Sequence, residues 1–444
     1  MSAAGRVLML QGTASSVGKS LLTAALCRIL AREGLRVAPF KAQNMSNNSY
    51  VTADGRELGR AQAVQAEAAG IEPLAEMNPI LLKPEADHRS QVVVLGRPNG
   101  VLRGSDFLSR KQELWPVVVD ALARLRAAFD VVLIEGAGSP AEINLRAGDI
   151  VNMRVARHAA APVLLVGDID RGGVFAHLVG TLELLEPEER SLVQGLVINK
   201  FRGTAELLRP GIEWLERRSG LPIAGVVPWL DAVGIADEDA VAIEGGRRPA
   251  GGMIDVAVVQ FPRIANFDDL DPLAAEAGVC VRFITRPEQF GAPDLVVLPG
   301  TKSTIADLLW LRESGLAERV RAHAAAGGAT IGICGGYQML GARVLDPRRV
   351  ESATGEAEGL GLLPALTVFE PLKATHRVRA SVDCDASFFP GRAGAEIGGY
   401  EIHMGQSRAG TPALRIRSRS GVPCDEPDGA INAAGNVLGT YLHG

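Results

Sequence analysis

A short glycine-containing loop near the start of the chain constrains its fold most strongly. An apolar run of strand length, Arg6 to Gln11, leads directly into the sequence GTASSVGKS at residues 12–20, and a helix-like apolar pattern covers Lys19 to Arg32. Glycines let backbone amides turn toward phosphate oxygens, and the start of a helix adds positive potential. Strand, loop and helix in this order predict a phosphate-binding loop at the edge of a parallel sheet.

The loop also predicts individual contacts to ATP. Lys19 is expected to reach the β and γ phosphates, and the Ser20 hydroxyl is expected to bind Mg²⁺. One residue more than in the common motif separates Gly12 from Gly18, and Thr13 stands where the first glycine would fall. The predicted nucleotide contacts in the loop are Gly12, Thr13, Ser16, Val17, Gly18, Lys19 and Ser20.

Apolar segments without strict alternation recur through the first half of the chain and are separated by helix-like stretches, of which Ser105 to Ala128 is the longest. Such strands are typical of a parallel sheet that is covered on both faces, and we therefore predict a doubly wound α/β fold. The predicted strands are Arg6 to Gln11, Leu35 to Phe40, Gln91 to Leu95, Asp130 to Glu135, Pro162 to Gly167 and Gln194 to Asn199.

A glycine- and arginine-rich stretch at residues 243–252 divides the chain. It predicts a linker between a first domain at 1–242 and a second domain at 253–444. In the second half, strands are predicted at Ile254 to Phe261, Leu295 to Pro299 and Thr330 to Ile333, followed by shorter strand-like segments after Gly361.

Polar residues follow several predicted strands of the first domain, where ligands collect in open α/β sheets. Glu135 ends one strand and is a candidate Mg²⁺ ligand, with a solvated glutamate at a strand end as the less favoured alternative. Asp54 is a possible second ligand, with a turn aspartate as the alternative. Asn199 ends another strand and could contact the purine edge, or it could form a plain turn.

A segment rich in amide side chains, KAQNMSNN at residues 41–48, follows the second predicted strand. Such groups suit a polar substrate that makes many hydrogen bonds. Lys41, Asn44 and Asn47 are therefore candidate substrate contacts.

A second chemical pattern surrounds Cys334. The predicted strand Thr330 to Ile333 turns sharply through CGGYQ at residues 334–338 into a helix. A cysteine on such an elbow is exposed at the sheet edge, where nearby backbone amides favour the thiolate and can stabilise an oxyanion. Without a base, a buried core thiol would be the better explanation.

A base for Cys334 is available at the end of the chain. His443 follows a strand-like segment and is the candidate, with His403 as a rival base or a substrate contact. The glycine turn after Leu298 supplies further amides, so the predicted oxyanion hole comprises Gly300, Thr301 and Gly335.

Composition excludes several other classes of protein. The formal net charge of −5 involves no block of like charge, so no nucleic-acid or membrane partner is expected. The five cysteines form no CxxC pair, which argues against a zinc site or a disulfide framework and fits a reducing compartment. No run approaches the ~20 apolar residues of a membrane span. We therefore expect a soluble, cytoplasmic enzyme.

The two halves together resemble a known family. A dethiobiotin synthetase-like ATP domain followed by a class I-like, flavodoxin-like glutamine amidotransferase domain is similar to the arrangement in the cobyric acid synthase family of cobalamin biosynthesis. The resemblance rests on GTASSVGKS at 12–20, KAQNMSNN at 41–48, DGRELGRAQ at 54–62, NPILLKP at 78–84, DIDRGGVFA at 168–176, LPGTKST at 298–304, GICGGYQML at 332–340 and GYEIHMG at 399–405.

The resemblance implies a reaction. Glutamine would be hydrolysed at Cys334 with His443, and the ammonia would pass between the domains. ATP and Mg²⁺ would then drive amidation of the b, d, e and g carboxylates of adenosylcobyrinic acid a,c-diamide to give cobyric acid. Within the matching motifs, Lys83 and His403 become candidate contacts to the corrinoid substrate. A homo-oligomer is possible.

Two departures from the family pattern and three rival functions accompany this interpretation. Members of the family continue into a further helical segment, so we expect the C-terminus to be truncated at Gly444 and His443 to be frayed. No third member of a catalytic triad follows the histidine. The rivals are a cobyrinic acid a,c-diamide synthase, an amidotransferase acting on a cell-wall precursor, and a P-loop switch protein with an inactive amidotransferase-like domain.

Overall fold

A computed structural model describes residues 4–86, 89–103, 107–230, 253–384 and 390–444. The predicted linker at 243–252 lies outside these residues. The helices of the described chain are α1 (Lys19–Arg32), α2 (Arg60–Ala68), α3 (Phe107–Ala128), α4 (Met153–Ala159), α5 (Val174–Leu184), α6 (Pro187–Arg190), α7 (Ala205–Ser219), α8 (Asp271–Ala275), α9 (Thr304–Glu313), α10 (Leu316–Ala325) and α11 (Gly335–Leu340). Among these, none is both long and apolar enough to cross a membrane.

The strands of the first half have between three and nine residues. They are β1 (Arg6–Gly12), β2 (Val37–Phe40), β3 (Gln43–Met45), β4 (Ser49–Val51), β5 (Glu57–Gly59), β6 (Ile80–Ala86), β7 (Arg89–Val94), β8 (Arg97–Arg103), β9 (Val131–Glu135), β10 (Val163–Asp168), β11 (Val193–Phe201) and β12 (Ile223–Pro228).

The second half contains two much longer strands. Its strands are β13 (Ile254–Val259), β14 (Val279–Ile284), β15 (Leu295–Leu298), β16 (Ala329–Ile333), β17 (Arg343–Leu345), β18 (Glu356–Glu358), β19 (Ala365–Val382), β20 (Glu396–Ala409), β21 (Leu414–Arg419), β22 (Val422–Asp428), β23 (Ala430–Ile431) and β24 (Val437–Thr440).

The described residues form two compact units. The first contains those of Met1–Met45, Leu58–Leu82 and His88–Ala236, and the second contains those of Ser46–Glu57, Lys83–Asp87 and Asp237–Gly444. The predicted domains, 1–242 and 253–444, are contiguous in sequence. The structure differs from them in the two short segments, 46–57 and 83–87, which belong to the second unit.

A six-stranded sheet forms the centre of the first unit. Its strand order is β12-β11-β10-β1-β9-β2, and every neighbouring pair is parallel. The core contains apolar residues from these strands and from the helices, including α3 and α5. The predicted doubly wound α/β fold is confirmed for this unit. With β1 inside the sheet, the phosphate-binding loop lies at the carboxyl edge, between neighbouring strands.

One predicted strand of the parallel sheet lies elsewhere. Residues Gln91 to Leu95 fall largely in β7, which belongs to a separate sheet of order β3-β6-β7-β8 and runs antiparallel to β8. Leu95 and Gly96 both have positive φ, at 45° and 77°, so the chain reverses there in a tight hairpin. A short apolar run alone cannot distinguish a hairpin strand from a parallel one.

A second six-stranded sheet, of order β14-β13-β15-β16-β24-β23, forms the centre of the second unit. All its pairs are parallel except the last, β24 with β23. An additional sheet of order β18-β17-β19-β21-β22, with β20 paired to β19, is mostly antiparallel. The prediction of only short strands after Gly361 was wrong, because the many polar residues of β19 and β20 interrupt the apolar pattern without ending the strands.

A buried ion pair joins the first two strands of the second sheet. The Arg282 guanidinium donates to both carboxylate oxygens of Asp255, at 2.7 and 2.9 Å, and to the carbonyl oxygen of Phe290 at 2.6 Å. The two side chains are only 11% and 12% exposed. Removing one partner would leave the other charge buried without compensation, which is strongly destabilising.

We therefore expect Arg282→Met to lower the free energy of unfolding of the second unit by about 3 kcal/mol, as is typical when a buried pair loses one partner. The matched control is Arg343→Met, because the Arg343–Glu356 pair is 52% and 60% exposed. That change should cost less than about 1 kcal/mol. Urea unfolding measures both, and equal effects of the two substitutions would contradict the assignment.

Candidate functional site

The loop at residues 12–20 has the conformation that a phosphate-binding loop requires. Ser16 and Gly18 have positive φ, at 59° and 97°, and α1 begins directly at Lys19. The Lys19 ammonium donates to the carbonyl oxygens of Ala14 at 3.0 Å and Gly138 at 3.1 Å. The Lys19 charge therefore lies over the loop backbone, where phosphate oxygens would meet it.

Two residues near the end of β11 contact this loop through their side chains. The Asn199 amide donates to the carbonyl oxygen of Val17 at 2.8 Å, and Lys200 donates to Ser16 at 2.7 Å while pairing with Asp168. A Cβ at position 18 would lie 2.2 Å from the Asn199 amide nitrogen, so only glycine fits there. Asn199 thus supports the loop, and its contact with a purine stays a prediction.

A hydroxyl in the loop also lacks a partner. The backbone amide of Thr13 donates to Val166 at 2.9 Å, whereas its Oγ1 is buried and makes no hydrogen bond in the part of the chain that the structure describes. A buried hydroxyl without a partner is unfavourable. A phosphate oxygen would satisfy it, in agreement with the predicted nucleotide contact at Thr13.

The two metal candidates of the first unit lie side by side. The Ser20 hydroxyl donates to Glu135 Oε1 at 2.8 Å, and Lys41 pairs with the same oxygen at 2.9 Å. Gln65, which the sequence did not single out, donates to Glu135 Oε2 at 2.6 Å. Hard oxygen donors beside a phosphate loop suit Mg²⁺, which usually takes one or two protein ligands and completes its shell with phosphate and water.

The side chains present agree with such a small number of protein ligands. Among the described residues, no group of three or more His, Cys, Asp or Glu side chains could hold a metal by itself. Ser20 and Glu135 therefore fit a metal that is held together with a nucleotide, rather than an independent metal site.

The remaining metal and substrate candidates are distributed over both units. In the first unit, Asn44 donates to Gln62 at 3.1 Å. In the second unit, Asp54 accepts from Arg56 at 2.6 Å and also from Thr52. Its role as a magnesium ligand stays a prediction, as does substrate contact by Asn44.

Two further candidates also belong to the second unit. Lys83 is buried, pairing with Glu57 at 2.7 Å and donating to Ser49 at 2.8 Å, so its ammonium serves an internal ion network. Asn47 has a buried side-chain oxygen without a partner among the described residues. Substrate contact by either residue stays a prediction.

In the second unit, Cys334 lies on a strained turn between β16 and α11. Its φ and ψ are 51° and −108°, a conformation that a side chain other than glycine rarely adopts. The backbone amide of Cys334 donates to Thr440 at 2.8 Å, which fixes the turn against β24. A Cβ at Gly336 would lie 1.9 Å from the carbonyl oxygen of Leu298, so glycine is needed for the helix to approach β15. This is the predicted nucleophile elbow.

His443 is firmly held, and the expectation that it would be frayed was wrong. Its amide and carbonyl groups form two hydrogen bonds with Tyr400, each 2.9 Å long. Its ring stacks on the Tyr400 ring with a centroid separation of 5.2 Å, and the residue is 3% exposed. Backbone pairing and burial together fix the imidazole.

Asp269 lies where a third member of the triad would be expected. Its Oδ2 lies 2.7 Å from Nδ1 of His443, and its Oδ1 accepts from the amide of Gly444 at 3.0 Å. Asp269 lies on the short turn after Asn266 and is far from Cys334 in sequence. The acidic sequence NFDDLD at 266–271 was the available signal, but spacing alone did not link it to His443.

The environment of His443 favours its charged form. Burial lowers the pKa of the imidazole, but the charge and hydrogen bond of Asp269, followed by the interaction with Cys334, outweigh it and raise the pKa to about 10. With Nδ1 bonded to Asp269, Nε2 is the ring nitrogen left for the interaction with Cys334. An imidazolium oriented in this way stabilises a thiolate at Cys334.

The three predicted oxyanion residues lie together around these groups. A Cβ at Gly335 would be 3.1 Å from the amide nitrogen of Thr301, and one at Gly300 would be 3.2 Å from Cε1 of His443. The turn at Gly300 and Thr301 therefore contacts both the elbow and the histidine. The amide of Gly335 is in the first turn of α11 and has no intrahelical acceptor. That Gly300, Thr301 and Gly335 act as oxyanion donors stays a prediction.

His403, the rival base, is engaged elsewhere. Its Nδ1 donates to the carbonyl oxygen of Gly405 at 2.7 Å, Nε2 lies 3.7 Å from Glu401, and its ring stacks on Tyr441. The neighbouring residue, Ile402, has its carbonyl oxygen 3.7 Å from the Cys334 sulfur. His443 is therefore the better base, and substrate contact by His403 stays a prediction.

The His443–Asp269 pair predicts a pH dependence. Replacing Asp269 with Asn removes the main cause that raises the pKa of His443, so the imidazole should lose its proton well below the value of about 10 in the native chain. Because the folded-state pKa is raised, the pair stabilises the fold fully below the unfolded pKa of about 6.5, and this stabilisation is lost as the pH rises toward 10.

NMR titration of labelled histidine measures this pKa directly. The rate of Cys334 alkylation by iodoacetamide at neutral pH should fall in Asp269→Asn, because less thiolate is stabilised. Asp294→Asn, which changes another carboxylate of the same unit, is the control. An unchanged pKa of His443 in Asp269→Asn would show that the pair does not set it.

Comparisons with known proteins agree with these two sites. Residues 8–242 match the model of the CobQ/CobB/MinD/ParA nucleotide binding domain, and residues 255–444 match that of the CobB/CobQ-like glutamine amidotransferase domain. Each match covers the residues of one of the sites described above.

Relatives of known name match almost the whole chain. The cobyric acid synthase of Sorangium cellulosum is 58% identical over 98% of this chain and 87% of its own length. Those of Chloroflexus aurantiacus and Moorella thermoacetica are 55% and 54% identical, each over 99% of this chain and over 88% and 86% of their own lengths. The chain therefore belongs to the cobyric acid synthase family of ligases.

Proposed function

We propose that this protein is a cobyric acid synthase that uses ATP and glutamine to amidate the b, d, e and g carboxylates of adenosylcobyrinic acid a,c-diamide. The observation that carries the proposal is the Cys334–His443–Asp269 arrangement on the same chain as a phosphate-binding loop. One site can release ammonia, and the other can activate a carboxylate. The names of the relatives support the choice of product.

At the glutaminase site, the Cys334 thiolate attacks the side-chain carbonyl carbon of glutamine. The carbonyl oxygen becomes an oxyanion, for which the amides of Thr301 and Gly335 are the proposed donors. His443 gives its proton to the leaving nitrogen, so ammonia departs and a thioester remains. Water, deprotonated by His443, then hydrolyses the thioester to glutamate and restores the thiolate.

At the ATP site, a substrate carboxylate oxygen attacks the γ phosphorus, and ADP leaves. The product is an acyl phosphate, which ammonia attacks to form the amide and release phosphate. Lys19 and the loop amides bind the phosphates, and Ser20 and Glu135 would hold Mg²⁺. When bound, the metal neutralises phosphate charge. Lys41 holds Glu135 in place through its 2.9 Å ion pair.

Among the rivals, a switch protein with an inactive appendage is disfavoured by the complete triad. An inactive domain would have no reason to retain a strained Cys334 beside a histidine that Asp269 orients. A cobyrinic acid a,c-diamide synthase or a cell-wall amidotransferase would use the same two sites, and the identity of the amidated substrate distinguishes these enzymes. The proposed compartment is the cytoplasm, in agreement with the five free thiols.

The Cys334→Ala variant tests whether glutamine hydrolysis and amidation take place at separate sites. The variant should lose glutamine hydrolysis by at least about 10³-fold, because it removes the nucleophile. It should still amidate adenosylcobyrinic acid a,c-diamide when ammonia is supplied with ATP and Mg²⁺. Corrinoid mass spectrometry and glutamate release measure the two half-reactions, and Cys424→Ala is the control that keeps both. An unchanged corrinoid despite ATP hydrolysis would point to a different carboxylate substrate.

The ATP site is tested with Lys19→Met. Loss of the charge that meets the phosphates should lower amidation at least about tenfold with glutamine and with ammonia alike. Glutamine hydrolysis at Cys334 should remain. Arg124→Met, which breaks an exposed ion pair with Asp120 in the same unit, is the control. Full ammonia-dependent amidation by Lys19→Met would refute the role of the loop.

A further inference from the structure

Glu85, a residue of β6, contacts the loop that carries the proposed oxyanion donors. Its Oε1 pairs with the Lys302 ammonium at 2.8 Å, and the two side chains are only 14% and 11% exposed. Both residues belong to the second unit, although 217 residues separate them in sequence. A shielded pair of this kind is held more tightly than a surface ion pair, because water screens it less.

The backbone of Glu85 makes two more contacts to the same region. Its carbonyl oxygen accepts from the Ser303 hydroxyl at 3.2 Å and from Nε of Arg263 at 3.3 Å. Arg263 in turn accepts the Lys302 amide at 2.9 Å and the Thr301 hydroxyl at 3.0 Å through its own carbonyl oxygen. Glu85 therefore contacts the two residues that follow Thr301 and also Arg263, whose carbonyl oxygen accepts from the Thr301 hydroxyl.

The position of Thr301 matters because oxyanion donors work only at short range. Each donor must lie about 2.7–3.1 Å from the place where the oxyanion forms. Thr301 pairs with Ile264 in an isolated antiparallel bridge, and its amide lies against Gly335. A shift of Lys302 and Ser303 would move this amide directly, because they are its neighbours in the chain.

We propose that Glu85 is a positioning residue for the glutaminase site, acting through Lys302, Ser303 and Arg263 on the amides of Gly300 and Thr301. The inference rests on the proposed glutaminase function of Cys334. Glu85 comes from the ATP-binding half of the sequence. It would thus set the rate of glutamine hydrolysis at Cys334, which lies in the other half.

A separate ion network keeps the segment itself in place. Lys83 pairs with Glu57 at 2.7 Å, and Glu57 pairs with Lys373 at 2.6 Å, all in buried surroundings. Neither of these two ion pairs involves Glu85. A substitution at Glu85 therefore leaves both of them in place and removes the ion pair with Lys302.

The test compares Glu85→Gln with the native chain. The kcat for glutamine hydrolysis should fall by about tenfold to a hundredfold, less than the ~10²–10³-fold of losing a donor outright, while KM changes little. Alkylation of Cys334 by iodoacetamide should be unchanged, since that reaction needs the thiolate but no oxyanion donor. Amidation with supplied ammonia should also be unchanged.

Three further variants complete the design. Glu85→Asp should recover part of the kcat because it restores the charge. Lys302→Met should reduce kcat by about the same factor as Glu85→Gln. The variant with both substitutions should have a kcat no lower than either single variant, because all three lose the same ion pair. Glu356→Gln, which breaks the exposed pair with Arg343, is the matched control and should match the native chain.

The possible results separate the inference from the function on which it rests. A kcat of Glu85→Gln within about twofold of the native value would overturn the inference while the glutaminase function stands. A parallel fall in alkylation would also overturn it, because the change would then disturb the thiolate rather than the donors. A native chain that hydrolyses no glutamine would refute the proposed function, and the inference with it.

Discussion

Parallel strands bring their carboxyl ends to one edge of a sheet, and both functional sites depend on this constraint. In the first unit, β1 ends at Gly12 and β9 at Glu135, which brings the phosphate loop and a carboxylate together. In the second unit, β16 leads to Cys334 and β24 leads to His443. Residues far apart in sequence become neighbours because their strands are adjacent and point the same way.

Each site also contains a buried carboxylate whose charge is matched by a cation. Glu135 is 1% exposed and is paired with Lys41, and Asp269 is paired with His443. An unpaired buried charge would be costly in either place. The histidine has an additional role, since it must gain and lose a proton in each turnover of the proposed reaction.

The sequence was sufficient to predict the functional features that consist of residues adjacent in sequence. The phosphate loop and the elbow at Cys334 are continuous motifs, and their residue types report the local backbone conformation directly. Asp269 was not predictable, because its link to His443 spans 174 residues and exists only after β24 enters the sheet. Glu85 was missed for the same reason. The hairpin of β7 and β8 was missed because its apolar run is as short as that of a parallel strand.

Strand β6 contributes Ile80 to Leu82 to one unit and Lys83 to Glu85 to the other. The chain therefore cannot be divided into two independent modules by a single cut at 243–252. A fragment that begins at residue 253 would lack the glutamate that pairs with Lys373 and the one that pairs with Lys302. A cut at the predicted linker would therefore separate Lys373 and Lys302 from these partners.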